Sequence, residues 1–300
     1  MNEVANDLEP LRERLFDAAR AHGEDPAAGP ILQVFPEQRS FEVDLRLGLD
    51  IAEALDIELL LLRPAVVPDG TPLDDSDPQI VGPHREAVEA VVDRAEGRTQ
   101  QIDGVVRLGH SLSSLVVQGA AEHDARLVLL PGQQPTSPGG AIPEDVAEEI
   151  MASLGSRSVV YSPPPVSERP SGVTAGLAGG PHREAVHWFA GVLGKAWDLR
   201  ASMVHVIDSE AGGGEWDEEL SRLREEVAVL QDADVDIRAE VFEEDDVAEA
   251  LLRQGRDDGS LVVGAPTTGR LKRLVYGSTS RRVRRKAPGW SFVVHEGQLS

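Results

Sequence analysis

The residues best suited to chemistry in this chain lie near its C-terminus, in the run Leu261 to Val294, LVVGAPTTGRLKRLVYGSTSRRVRRKAPGWSFVV. A buried strand is expected to end at Gly264. A loop then leads into a basic helical stretch that Gly277–Ser278–Thr279–Ser280 interrupts. Glycines let a backbone approach a ligand closely and adopt positive φ. Free N–H groups at a helix start attract an anion, and hydroxyls donate to phosphate oxygens. Gly264, Thr267, Gly277, Ser278 and Thr279 therefore form a candidate phosphate cradle. Arg270, Lys272, Arg273, Arg281, Arg282, Arg284, Arg285 and Lys286 place eight of the 29 cations within seventeen residues. Such a cluster either attracts a polyphosphate or neutralises the protein's own carboxylates.

Other chemistries find little support. No cysteine is present, which removes disulfides, thiolate metal sites and cysteine nucleophiles. The eight histidines (22, 84, 110, 123, 182, 187, 205 and 295) include no HExxH pair, so no metal ligand set is expected. His205, in an apolar strand, reads as a packing residue. No Gly-x-Ser-x-Gly elbow occurs. Glu243 to Asp246 reads as a solvated turn and helix start.

The elements that must position the cradle alternate. Short apolar strands are expected at 31–35, 57–62, 105–108, 127–130 and 157–161, with helices at 39–55, 84–96, 112–122 and 144–153 between them. Five prolines mark 64–83 as a loop. The pattern restarts with strands at 173–177, 201–207, 237–242, 261–263 and 291–294, and helices at 182–197, 216–230, 247–254 and 272–285. A glycine-rich loop is expected at 211–214. Each half is thus β-α-β-α-β-α-β-α-β, which predicts an α/β fold of two doubly wound parallel-sheet domains. The organisation expected is an amphipathic helix and linker over 1–30, a first domain over 31–162, a proline-rich linker at 163–171 and a second domain over 172–296. The repeat offset is about 133 to 143 residues. The hexapeptide PHREAV recurs at Pro83–Val88 and Pro181–Val186. Its spacing fits no strand register, and we read it as coincidence.

Gly264, two residues, Thr267, nine residues, then Gly277–Ser278 is similar to the phosphate motif of the universal stress protein family. The resemblance covers residues 172–295 and, more faintly, 31–162, so the chain resembles a tandem universal stress protein. It implies a five-stranded parallel sheet in each half, with the first half as pseudo-dimer partner of the second and a homodimer or protein partner as further associations. It also implies ATP, or another adenine nucleotide, as ligand of the second domain. By this resemblance, the Val206 backbone faces the base. Thr267 stands where the family has its second glycine, and Ala178 where binding members carry an aspartate. After the first half's fourth strand comes Gly132–Gln133–Gln134–Pro135, with Pro135 at the second-glycine position and no Gly–Ser pair following. The first domain is therefore expected to be degenerate and not to bind ATP.

Composition bounds the function. With 52 acidic against 29 basic side chains the net charge is −23, which argues against nucleic acid as a partner. Three of the cations are lysines, Lys195, Lys272 and Lys286. An acidic, arginine-biased surface suits a salty, halophilic cytoplasm, where carboxylate repulsion is screened; a GC-rich genome is the other origin of that bias. No apolar run is long enough to span a bilayer, and Met1–Asn2–Glu3 does not begin a signal peptide, so a cytoplasmic location is expected. The function expected is stress-response nucleotide binding or sensing without catalysis; slow ATP hydrolysis is the enzymatic variant. The alternative is a regulatory or scaffold protein that binds no nucleotide and acts on a partner such as a membrane transporter.

Overall fold

The computed structural model describes residues 29–35, 42–74, 77–95, 101–132, 141–164, 169–178, 181–207, 213–231, 236–265 and 277–297. The helix expected over 1–22 lies outside them, as does Thr267. Two compact units divide the chain. One spans Ala28–Pro165 and takes in His295–Ser300; the other covers Val166–Val294.

The N-terminal unit runs β1 (Ile31–Val34), α1 (Glu42–Leu55), β2 (Leu59–Val66), α2 (Pro78–Ala95), β3 (Ile102–Gly109), α3 (Leu112–Glu122), β4 (Leu127–Pro131), α4 (Glu144–Ser153) and β5 (Arg157–Ser162). Its strands pair in parallel in the order β3-β2-β1-β4-β5. The C-terminal unit repeats the plan with β6 (Val173–Gly176), α5 (Arg183–Trp197), β7 (Ala201–Ile207), α6 (Gly213–Gln231), β8 (Ile237–Glu243), α7 (Val247–Asp258), β9 (Ser260–Gly264), α8 (Gly277–Lys286) and β10 (Trp290–His295). Its order is β10-β9-β6-β7-β8, again parallel. Two doubly wound α/β units are thus present.

Burial follows strand position. Central β1 and β4 are buried along their whole length; helices cover both faces, so apart from Gln33 in β1 they are apolar runs. Edge strands β3 and β8 are half-exposed and interleave polar residues. In the C-terminal core, Trp197 lies 5.7 Å from Trp290 and 6.0 Å from Phe292, ring centre to ring centre. Phe189 meets Phe292 edge-on at 5.4 Å.

Besides β3 beginning at Ile102 where the strand is expected from 105, the structure departs from the sequence expectations at three places. First, β2 continues through Pro64 to Val66, where a loop is expected. Phe35 N–H donates to Leu62 O, so Leu62, and by alternation Pro64, face β1. β1 ends opposite Leu62; the next ladder bond would run from residue 64 to Phe35 O, and Arg63 donates to that carbonyl in place of the missing proline N–H. Second, α2 begins at Pro78, and Pro83 lies inside it. Asp77 Oδ1 accepts from Gln79 N–H at 2.9 Å, and proline at the first helical position needs no donor. PHREAV thus sits within the second helix of one unit and at the start of the first helix of the other. Third, Gly213 and Gly214 belong to α6.

Candidate functional site

In the C-terminal unit the strand order reverses between β6 and β9. Ligands of open parallel sheets bind outside the carboxyl ends of the strands at such a point. Gly264 ends β9, and Val206 is the penultimate residue of β7. Gly277, Ser278 and Thr279 are the first three residues of α8, so their N–H groups have no partner within the helix. Arg282, on the next turn, donates to Asp246 Oδ2 at 2.5 Å and to Glu249 Oε2 at 3.0 Å. Asp246 is the N-cap of α7, which follows the carboxyl end of β8, so the first turns of α8 lie at the carboxyl end of the sheet. Hydrogen bonding from Arg282 holds the Asp246 carboxyl below its ordinary pKa. Part of the basic cluster thus neutralises the protein's own carboxylates.

Gly264 has a structural reason to be glycine. A Cβ there would approach His182 Cβ to 3.3 Å and Val186 Cγ2 to 3.6 Å. Its missing side chain admits the start of α5 against the end of β9. Nearby, Arg183 makes a forked pair with Glu226 at 2.9 to 3.2 Å and lies 3.6 Å from Glu219. Glu219 in turn pairs with Arg222 at 2.5 Å. This network fastens α6 to the first turn of α5. Ala178 is exposed and supplies no carboxylate.

The edge of Val206 follows from strand alternation. Glu244 N–H donates to Ile207 O, so Ile207 faces β8; Leu177 N–H donates to Val204 O, so Val204 faces β6. Val206 therefore also faces the β6 side. There the ladder stops at the pair Gly176–Val204, and Val206 presents one donor and one acceptor beyond the end of β6. His205 Nδ1 lies 2.7 Å from Leu177 O. A carbonyl can only accept, so this nitrogen carries the proton.

The N-terminal unit repeats the arrangement with different chemistry. Ile31 pairs with Leu59 as Val173 pairs with Ala201, so Phe35, Arg63 and Pro64 correspond to Leu177, His205 and Val206. Buried Arg63 reaches Phe35 O at 3.5 Å and His84 Nδ1 at 3.3 Å, and its guanidinium lies 4.6 Å from the Phe35 ring centre. Pro64 offers no donor. Register also corrects the sequence match at Gly132. Pro131 pairs with Tyr161 as Gly264 pairs with Val294; Gly132 N–H donates to Tyr161 O as Ala265 N–H donates to Val294 O. Pro131 therefore holds the position of Gly264, and Gly132 that of Ala265. Finally, α4 opens with Glu144 and Asp145 in its first turn, whereas the first turn of α8 carries no acid.

Sequence reading took His205 as a packing residue and did not pair it with Arg63. A strand-by-strand match of the two halves would have paired them. Among the described residues, no group of three or more His, Asp or Glu side chains could hold a metal ion, and no helix is long and apolar enough to cross a membrane.

No family model matches the chain, and no curated protein matches it in sequence. Solved structures match its fold. A universal stress protein from Archaeoglobus fulgidus is 15% identical, with a TM-score of 0.59 over 89% of this chain and 98% of that one. A functionally unknown protein from Pseudomonas aeruginosa is 14% identical, with a TM-score of 0.59 over 91% and 94%. The cytoplasmic domain of a prokaryotic cation chloride cotransporter is 10% identical, with a TM-score of 0.51 over 90% and 96%. Both units are covered in each case, and the chain has the fold of a universal stress protein in tandem, two-domain form.

Proposed function

We propose that this is a cytoplasmic stress-response protein whose second domain, 172–296, binds an adenine nucleotide, ATP, to sense or signal rather than to turn it over. The observation that carries the reading is the contrast between the two helices that follow each fourth strand. α8 opens Gly-Ser-Thr-Ser with no acid in its first turn, so an anionic ligand meets N–H groups that no intrahelical carbonyl occupies and a favourable dipole. α4 supplies its own anions, Glu144 and Asp145, and repels a second set. In this reading Gly277, Ser278 and Thr279 hold phosphates with Gly264 and Thr267. The Val206 N–H and C=O read the base, whose edge offers an acceptor beside a donor. Domain 31–162 lacks both halves of the site: Pro64 removes the base donor and the α4 acids oppose phosphate.

Calorimetric titration with ATP tests the reading, with and without magnesium, in molar and in dilute KCl. One saturable site per chain is expected, and Gly277→Asp is expected to abolish it. Absence of heat, from folded protein free of copurified nucleotide, sinks the reading. A second reading draws on Gly264, whose lack of a side chain is accounted for by the packing of His182. Under it the chain is a regulatory scaffold acting on a partner such as a membrane transporter. The fold likeness to a cotransporter's cytoplasmic domain is compatible with that reading.

A further inference from the structure

We propose that His205 is a positioning residue that keeps the Val206 edge open. In a regular parallel ladder the bond after Leu177 N–H to Val204 O is Val206 N–H to Leu177 O. The ladder instead stops at Gly176–Val204, and the Leu177 carbonyl accepts the His205 Nδ1–H at 2.7 Å. The ring takes the acceptor that strand geometry assigns to Val206 and so leaves that N–H for a ligand. Glu219 Oε1, 3.6 Å from the same nitrogen, stands beside the ring. Arg222 and Arg183 in turn hold Glu219, so the orientation is anchored through α5 and α6.

The N-terminal unit carries an independent version of the device. Arg63, in the matching register position, donates to the matching carbonyl of Phe35 at 3.5 Å. There the residue that the ladder would next use is Pro64, which has no N–H. A side-chain donor on that carbonyl thus recurs in both units. Only in the C-terminal unit does it release a main-chain donor.

The ligand-reading part of this inference rests on the proposed nucleotide site, and the experiment separates the two. Amide hydrogen exchange at Val206 is measured by NMR in the free protein, in His205→Phe, which keeps a ring without a donor, and in His205→Asn, whose Nδ2 sits near the position of Nδ1. In His205→Phe the Val206 amide is expected to close onto Leu177 O and exchange at least about tenfold more slowly, with its β7 neighbours unchanged. His205→Asn is expected to restore the wild-type rate. An unchanged or faster Val206 rate in His205→Phe, or slowing shared by all of β7, overturns the proposal and leaves His205 a packing residue. A second arm adds ATP to wild-type protein. Protection of Val206 by ATP supports the ligand-reading part. No protection, with the free-protein result as expected, removes ATP as the ligand and leaves the positioning role standing.

Discussion

Val206 and Pro64 occupy equivalent places at the ends of β7 and β2, and the main-chain N–H present in one is absent in the other. Because β2 accommodates proline at the matching position, with a side-chain donor on the carbonyl it would have served, Val206→Pro should fold. The expected outcome is a melting temperature within a few degrees of wild type and ATP affinity at least about tenfold weaker, read by calorimetry. At Gly48 the constraint is steric. A Cβ would come within 2.1 Å of Gln33 Oε1, while Gln33 Nε2 donates to Asp44 O at 2.6 Å and to the Tyr161 hydroxyl at 3.2 Å. Those bonds tie α1 to β1 and β5 inside the core. Gly48→Ala should displace the amide, leave buried polar groups unmade and cost about 1–3 kcal/mol in urea unfolding.

At the scale of elements, α5 carries a pH-sensitive feature. Burial pushes the His187 pKa below its ordinary 6.5; Glu226 and Glu184 oppose that shift and Arg183 adds to it. Its Nε2 is buried without a partner. A histidine depressed in the folded state binds its proton more readily when unfolded. Its contribution to stability is therefore whole above pH 6.5 and is lost as pH falls toward the folded pKa. Thermal melts from pH 8 to pH 5 should show this decline, and His187→Gln should reduce its slope. An unaltered slope would assign the decline elsewhere, with His295, also lowered by burial, as the next group to replace. Element bounds were legible where local signals were clean: α3 and α4 begin and end where the sequence predicts. The start of α2 was missed because proline density outweighed the Asp77–Pro78 cap, a local signal that was present.

For the whole molecule the dominant quantity is the net charge of −23. The Debye length falls from about 10 Å in 0.1 M salt to about 3 Å in 1 M, so mutual repulsion of carboxylates weakens steeply over that range. If the acidity is a salt adaptation, the melting temperature should rise between 0.1 and 1 M KCl. A flat or falling trend would favour compositional bias as its origin. The same salt weakens phosphate contacts, so ATP affinity should move in the opposite direction.

By itself the sequence determined the α/β alternation, the two-fold repetition of five strands and the basic, glycine-bearing run that ends in α8. These depend on periodicity, turn chemistry and composition, which act over a few residues. The tertiary structure alone decided what Gly264 is for, since His182 and Val186 reach it from 82 and 78 residues away in the chain. It also decided which first-unit residue matches it, because strand register sets Pro131, rather than Gly132, opposite Tyr161. The Val206 edge likewise depends on where β6 stops and on a histidine bond to Leu177 across the sheet. Pairing of this kind is settled when distant strands meet, and the sequence signals that foretell the strands do not specify it.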